Sequence, residues 1–411
     1  MNLYLFNDND SAAEYGIGTY LKEMTKAIEE SAINIHIVHL HSVCSEFEIV
    51  KTDNVEYWNI PEVRNENTFS GSMQKVEGYY LNVIYLLRLY IKDTKNLVFH
   101  FNYNHCQFLA KELKAIFDCK TVSTVHFTKW MLEFNSNFSL LNRIKAKPEK
   151  QRSRYEQLIF TTDELENLLF KTTDRVIALS RYMHNLLQTE YQLDPYKIIT
   201  IPNGLEDIST QMKISKNESR RKWRISEKEL LVLFTGRLHP VKGLNFLIKA
   251  FRKVLEEMPD CRLMIAGSGE FNYYMKECED IWTHVSWTGK LSKDKLYELY
   301  SISDIGVMPS FHEQCSYVAI EMMMHGLPII GSTSTGLKEM IADGETGLHI
   351  PVIEYDDKVE IEASLLAEKM LYLLNNSDVR QYMRHNARKR YEEQYSKEVF
   401  RKNMLNFYNS L

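Results

Sequence analysis

SDIGVMPSFHEQCSYVAIEMMMHGLPIIG, residues 303–331, decides the fold. It reads as a strand, a loop, a helix and a second strand. Ile305 to Met308 is short and apolar and is closed by Pro309, which suits a strand buried on both faces of a parallel sheet. Residues 310–314 form a polar loop. Residues 316–324 carry a helical period that Gly326 and Pro328 stop, and Ile329 and Ile330 open the next strand. In an open parallel sheet, ligands sit beyond the carboxyl ends of the strands, where helix N-termini favour anions. Glu313 lies in that loop. Glu321 lies among Val318, Ala319, Ile320 and Met322, where a carboxylate is costly to bury unless something pairs with it. A half-exposed helix glutamate is the other reading.

The same rhythm runs outward on both sides. Residues 230–234 read as a strand, GRLHPVKG (236–243) as its loop, and Leu244, Leu247, Ile248, Phe251, Val254, Leu255 and Met258 as one helix face. Arg237 and Lys242 bracket the loop. Two cations there could neutralise a diphosphate, Arg as a fork and Lys as a point charge; exposed surface cations are the alternative. Residues 262–266 and 285–288 are further strands, followed by Gly267-Ser268-Gly269-Glu270 and Gly289-Lys290-Leu291. Glycines after successive strands leave room for a flat ligand near the backbone. Past the opening stretch a strand runs to Ile350, and 363–375 and 379–409 read as helices.

The first half repeats the alternation. Residues 2–6 are a strand and 7–15 a polar loop. Gly16 and Gly18 then open a helix with Tyr20, Leu21, Met24, Ala27 and Ile28 on its apolar face. Such a glycine loop lets backbone N–H groups approach a phosphate; a plain tight turn fits equally. Asp8-Asn9-Asp10 could hold a divalent metal, but Asn and Asp are the usual turn residues and a side-chain-capped turn is preferred. His36, His39 and His41 look like a metal cluster, yet strand alternation puts His36 and His39 on opposite faces. After a helix at 76–91, a strand at 97–101 and a helix at 107–117, the strand at 120–125 ends on His126, at the ligand end of the sheet or simply as a polar residue closing a strand. Residues 130–162 are long, aromatic (Trp130, Phe134, Phe138, Tyr155) and basic (Arg143, Lys145, Lys147, Lys150, Arg152, Arg154), either a functional insertion or a solvated helical surface. A strand at 175–179, a helix N-capped by Ser180 and a strand at 197–201 lead to Pro202-Asn203-Gly204. Residues 205–229 are polar and charge-dense, and the domain boundary is expected there.

With 411 residues the chain is long enough for two domains with large cores. A net charge of -5 argues against a general nucleic-acid binder. Six scattered cysteines contain no C-x-x-C pair, so a reducing, cytoplasmic setting is the default. The N-terminus reads as a strand, not a signal peptide. The most apolar helix, 79–91, is too short to span a bilayer.

The array as a whole resembles the retaining glycosyltransferases of family 4, with the GT-B fold. The pieces that carry it are Gly16 to Gly18, His126, IPNG at 201–204, GRLHPVKG at 236–243, IAGSGE at 265–270, the E-x7-E pair Glu313 and Glu321, HGLPII at 325–330 and DGETGL at 343–348. The resemblance implies an α/β fold of two Rossmann-like parallel-sheet domains facing a cleft. An acceptor-binding domain would span 1–205 and a nucleotide-sugar-binding domain 206–390, with a C-terminal helix at about 391–411 crossing back to the first. It implies a metal-independent transfer with no cofactor. The donor would be UDP- or GDP-linked and the acceptor a glycan, a lipid-linked molecule or a peptide, in glycan biosynthesis at the cytoplasmic side. Arg237 and Lys242 would hold the diphosphate, Glu313 and His126 would lie at the donor sugar, and Glu321 would bind the ribose. Gly16, Gly18, Asn203, Gly236, Gly267, Gly269, Leu291, Ser316, Tyr317 and Val318 would complete the substrate site. This chain departs from the family at Ser316, where a glycine is common, at Ile17 between the N-terminal glycines, and at Ser332 to Gly336. A non-catalytic GT-B-like subunit that binds a peptide or a partner enzyme is the alternative. A sugar-nucleotide epimerase shares the architecture without this E-x7-E setting. The basic, aromatic insertion further suggests peripheral membrane contact.

Overall fold

The computed structural model describes residues 1–8, 16–52, 54–62, 73–209 and 215–411. Asn9 and Asp10 of the acidic turn lie outside them. The elements run β1 (Asn2–Asp8), α1 (Gly16–Ile28), β2 (Asn34–Ser42), β3 (Glu48–Thr52), β4 (Val55–Pro61), α2 (Met73–Tyr90), β5 (Leu97–Phe101), α3 (Gln107–Ile116), β6 (Cys119–Val125), α4 (Lys129–Glu133), α5 (Phe138–Ala146), α6 (Arg154–Thr172), β7 (Arg175–Ala178), α7 (Arg181–Thr189) and β8 (Ile198–Thr200). They continue α8 (Lys216–Lys222), β9 (Leu230–Thr235), α9 (Leu244–Glu257), β10 (Cys261–Ala266), α10 (Phe271–Lys276), β11 (Val285–Gly289), α11 (Lys293–Ile302), β12 (Ile305–Met308), α12 (Tyr317–Met324), β13 (Ile329–Ser332), α13 (Leu337–Met340), β14 (Gly347–Ile350), β15 (Val352–Glu354), β16 (Val359–Ile361), α14 (Ala363–Asn375), α15 (Ser377–Arg390) and α16 (Lys397–Asn409).

The chain divides into two compact units. The first comprises Met1–Lys129, Lys147–Pro202 and Phe400–Leu411, the second Trp130–Ala146 and Asn203–Val399.

In the first unit an eight-stranded sheet has the order β3-β4-β2-β1-β5-β6-β7-β8. All neighbours are parallel except the β3–β4 pair. Every residue of β5 is buried, which accounts for its unbroken apolar run around His100. The chain's last helix packs here: Tyr408 Oη lies 2.6 Å from His100 Nδ1, and Arg401 donates to the Ala27 carbonyl at 2.8 Å. The return of the C-terminal helix to the first unit is thus present.

The second unit carries a parallel six-stranded sheet of order β11-β10-β9-β12-β13-β14 and the β15–β16 hairpin. β12 is buried along its whole length. The predicted face of α9 is the one buried: Leu244, Leu247, Ile248, Phe251 and Val254. In this sheet β9 sits between β10 and β12, so the strand order reverses there and a crevice opens at the carboxyl ends.

Two differences from the sequence reading have physical causes. The β3–β4 edge hairpin was not anticipated, because every residue of β3 is exposed and leaves no alternation. The helix expected over 379–409 is broken by a π-helical turn at Tyr391–Tyr395. Its backbone serves residue 205 instead: the Leu205 N–H donates to the Tyr395 carbonyl at 2.9 Å, and Tyr391 Oη donates to the Leu205 carbonyl at 2.8 Å.

Candidate active site

The loops after β9 and β12 meet in the crevice of the second sheet. Gly243 has φ +66, and a Cβ there would lie 2.0 Å from the Pro309 carbonyl oxygen. Only glycine permits that approach. The Phe311 N–H then donates to the Val241 carbonyl at 2.7 Å. The two contacts carry Lys242 to Glu313, with Nζ to Oε1 at 2.5 Å and side chains only 18% and 11% exposed. The Glu313 backbone is itself fastened. Its N–H donates to Thr335 Oγ1 at 2.9 Å, and its carbonyl accepts from Thr335 Oγ1 at 2.6 Å and from the Gly336 N–H at 2.8 Å. Arg237, half-buried, stands on the same loop as Lys242.

The glycines of the neighbouring turns have a steric role the sequence did not reveal. A Cβ on Gly267 would lie 1.8 Å from the Gly236 carbonyl oxygen, and one on Gly269 2.4 Å from that of Leu238. The Leu238 N–H donates to the Ser268 carbonyl at 2.8 Å, and the Glu270 N–H returns to Leu238 at 2.9 Å. At Gly267 and Gly269 the space that a side chain would take is therefore filled by adjoining backbone. Leu291, half-buried, follows Gly289 at the end of β11.

At the start of α12, Ser316 takes the N-cap position, and its N–H donates to Met340 Sδ at 3.2 Å, a weak acceptor. Tyr317 and Val318 follow, half-buried. Asn203 holds the preceding residue: its N–H donates to Cys315 Sγ at 3.3 Å and its Nδ2 to the Cys315 carbonyl at 2.7 Å. Burial pushes the Cys315 thiol up to about 12. Glu321 is buried on α12. Its carboxylate accepts from Lys293 and, at 2.9 Å, from Tyr300 Oη, both on α11. The cost of burying it is met by the chain's own groups, so burial by itself no longer argues for a ribose. Lys293 and Tyr300 were missed because nothing in the α11 sequence marks them.

The first unit holds the other predicted residues. His126 Nε2 lies 3.2 Å from Asn102 Oδ1, and its ring stands edge-on to Tyr20, 4.8 Å between centroids. Burial lowers its pKa. Gly16 and Gly18 form the first turn of α1, and among the described residues no heavy atom lies within 4 Å of a Cβ on Gly16. Around His126 are groups that the sequence reading omitted. Asn102 Nδ2 and Thr128 Oγ1 are buried with no hydrogen-bond partner among the described residues. Glu166 of α6 accepts from Asn104 Nδ2 and from the Lys129 N–H, each at 3.1 Å, and burial pushes its pKa up to about 8. His36, His39 and His41 pair instead with Glu56 (2.9 Å), Asn59 (3.0 Å) and Asp8 (2.9 Å). Among the described residues no three His, Cys, Asp or Glu side chains could hold a metal ion, and no helix is long and apolar enough to cross a membrane.

Two family profiles cover most of the chain. "Glycosyltransferase Family 4" matches residues 15–207, and "Glycosyl transferases group 1" matches 215–390. Among curated proteins, an uncharacterised glycosyltransferase of Methanocaldococcus jannaschii is 27% identical over 320 residues, 73% of this chain and 79% of its own length. Among solved structures, the sucrose-phosphate synthase of Thermosynechococcus elongatus superposes with a TM-score of 0.76 at 18% identity, over 100% of this chain and 98% of that one. The HepE protein of Anabaena, solved in complex with UDP-glucose, does so at 0.71 and 14% identity, over 100% of both chains.

Proposed function

The chain belongs to the family 4 glycosyltransferases of the GT-B fold, and from that premise we propose that it moves a sugar from a nucleotide-diphospho-sugar to a hydroxylated acceptor, with retention of configuration and without a metal. The observation that carries the proposal is the Lys242–Glu313 pair at the strand-order reversal, with Arg237 on the same loop. Bound diphosphate would draw Lys242 from Glu313 and be held by Lys242 as a point charge and Arg237 as a fork. Charge building on the leaving phosphate during transfer is stabilised by the same two cations, which takes the place of a metal. Glu313, released from Lys242, is free to accept from hydroxyls of the donor sugar. The leaving phosphate takes the acceptor proton, so Glu313 serves neither as nucleophile nor as base. In the first unit, Asn102, Thr128 and His126 offer hydrogen-bonding groups suited to a hydroxylated ligand. UDP- and GDP-linked donors are the candidates, and glycans, lipid-linked molecules and peptides the acceptor classes. A contact with the inner face of a membrane would fall to exposed Tyr155 and Leu158 of α6, since Trp130 is buried; flotation with anionic vesicles tests it.

A hydrolysis screen over sugar nucleotides, needing no acceptor, identifies the donor. Arg237→Ala with Lys242→Ala should then abolish turnover, and wild-type turnover in that double variant would sink the proposal. The second reading, a non-catalytic subunit, draws on Glu313 and Glu321 each being paired with a lysine of the chain. A thermal-shift panel separates the two. Nucleotide at 100 times its Kd stabilises by about 2.7 kcal/mol, and no shift with any nucleotide or sugar nucleotide favours the subunit.

A further inference from the structure

Residues 130–146 lie between β6 and α6 in sequence, both in the first unit, yet they group with the second. Trp130, Met131, Leu141 and Ile144 are buried. Asn137, fully buried, donates Nδ2 to the carbonyls of Tyr355 and Lys358 at 2.7 and 3.2 Å, beside the turn of the β15–β16 hairpin. The Ser139 N–H donates to Glu354 Oε1 at 2.8 Å. Two further contacts reach the loop after β12: Gln314 Nε2 lies 3.5 Å from Met131 Sδ, and Ser136 Oγ lies 3.1 Å from His312 Nδ1. Glu133 of α4 is close enough for its charge to act on His239, in the loop that carries Arg237 and Lys242.

The backbone shows where this segment is under constraint. Asn135 and Ser136 both have positive φ, 51 and 60. Left-handed residues other than glycine cost on the order of 1 kcal/mol each and persist where the surroundings hold them. Here they turn Ser136 onto His312, the residue directly before Glu313.

We propose that residues 130–146 clamp the loop after β12 and that Ser136, acting through His312, is a positioning residue for Glu313. The proposal rests on the donor-site reading above. Without the Ser136 hydroxyl, a buried imidazole nitrogen loses its partner, the ring turns to find another and the Glu313 backbone moves with it. A shift of that kind weakens turnover more than binding, because transfer depends on alignment at the reacting carbon.

The test uses the full chain and the sugar nucleotide that the wild type hydrolyses. Ser136→Ala should lower kcat about tenfold, equivalent to about 1.4 kcal/mol, with donor KM within about twofold. Adding Ser136→Ala to His312→Phe should cost nothing more than His312→Phe alone. Wild-type kcat in Ser136→Ala, or additive losses in the double variant, would overturn the clamp. Amide exchange across 311–316 reads it without turnover: Ser136→Ala speeds exchange. Unchanged exchange overturns the clamp even for a chain that turns over no donor, whereas absent donor turnover with the expected exchange counts against the donor-site reading alone.

Discussion

At the carboxyl ends of the second sheet, backbone meets backbone. The missing side chains of Gly243 and Gly267 admit the carbonyls of Pro309 and Gly236, and the charges at hand are lysine–carboxylate pairs. At the carboxyl ends of the first sheet, side chain meets side chain. Asn102 pairs with His126 and Asn104 with Glu166, while Asn102 Nδ2 and Thr128 Oγ1 find no partner among the described residues. Close backbone contacts fix geometry and suit a ligand whose charge is constant, such as a diphosphate. A network with unfilled donors and acceptors suits hydroxylated ligands, whose groups can point in several directions.

The contrast is easiest to break by adding a methyl group. Gly267→Ala drives a Cβ into backbone that cannot swing away, and a loss of about 4 kcal/mol or failure to fold is expected. Gly16→Ala, on an exposed first turn of α1, meets no heavy atom of the described residues and should change stability by no more than about 0.5 kcal/mol. Chemical denaturation of both variants decides it. If Gly267→Ala folds as stably as the wild type, the close-contact account of the second unit is wrong.

The next effect is a pH dependence. Glu166 has its pKa raised from 4.5 to about 8 by burial, so between those values the native chain binds more protons than the unfolded one, and stability falls as pH rises. His100, lowered to about 3 by burial, acts in the opposite sense below 6.5. From pH 6.5 to 8 the Glu166 contribution stands clear of the histidines, at about 2 kcal/mol. The wild-type Tm should fall across that range, and Glu166→Gln, which keeps the acceptor oxygen, should flatten the slope. A variant with the wild-type slope would show that Glu166 is ionised throughout.

Tyr408→Phe tests the C-terminal helix on the same unit. It removes the hydroxyl bonded to His100 Nδ1 and leaves that buried nitrogen without a partner, so a loss of about 1.5 kcal/mol is expected by denaturation. A neutral result would mean that water or another hydroxyl takes the place.

These contrasts also explain what the sequence could reveal. Backbone close to backbone demands glycine at fixed positions, so Gly243, Gly267 and Gly269 stand out beside their strands. Their order and spacing made the second unit and the loops of Arg237, Lys242, Glu313 and Glu321 readable. The reason for the glycines was not readable, because a gap for a ligand and a gap for a carbonyl leave the same residue. Side-chain networks leave no spacing at all. Asn102 and Asn104 look like ordinary turn residues, and Glu166 sits in a helix with Asp163 and Glu164 for neighbours. Lys293 and Ser136 reach their partners, Glu321 and His312, through the fold across long sequence separations, and no local pattern encodes such a meeting.

The smallest effect sharpens the comparison where Glu166 is anchored. α6 begins in a capping box: Ser153 accepts from the Glu156 N–H, and Glu156 bonds back to the Ser153 N–H at 2.8 Å. Ser153→Ala should cost about 1 kcal/mol. If the buried network, and not the cap, holds the helix, the loss stays local. Amide exchange should quicken over residues 154–157, while the Lys129 amide, bonded to Glu166, keeps its protection. Spread of the faster exchange to Lys129 would mean that the polar end of the first sheet depends on the far end of α6, and would remove the basis for treating that network as self-supporting.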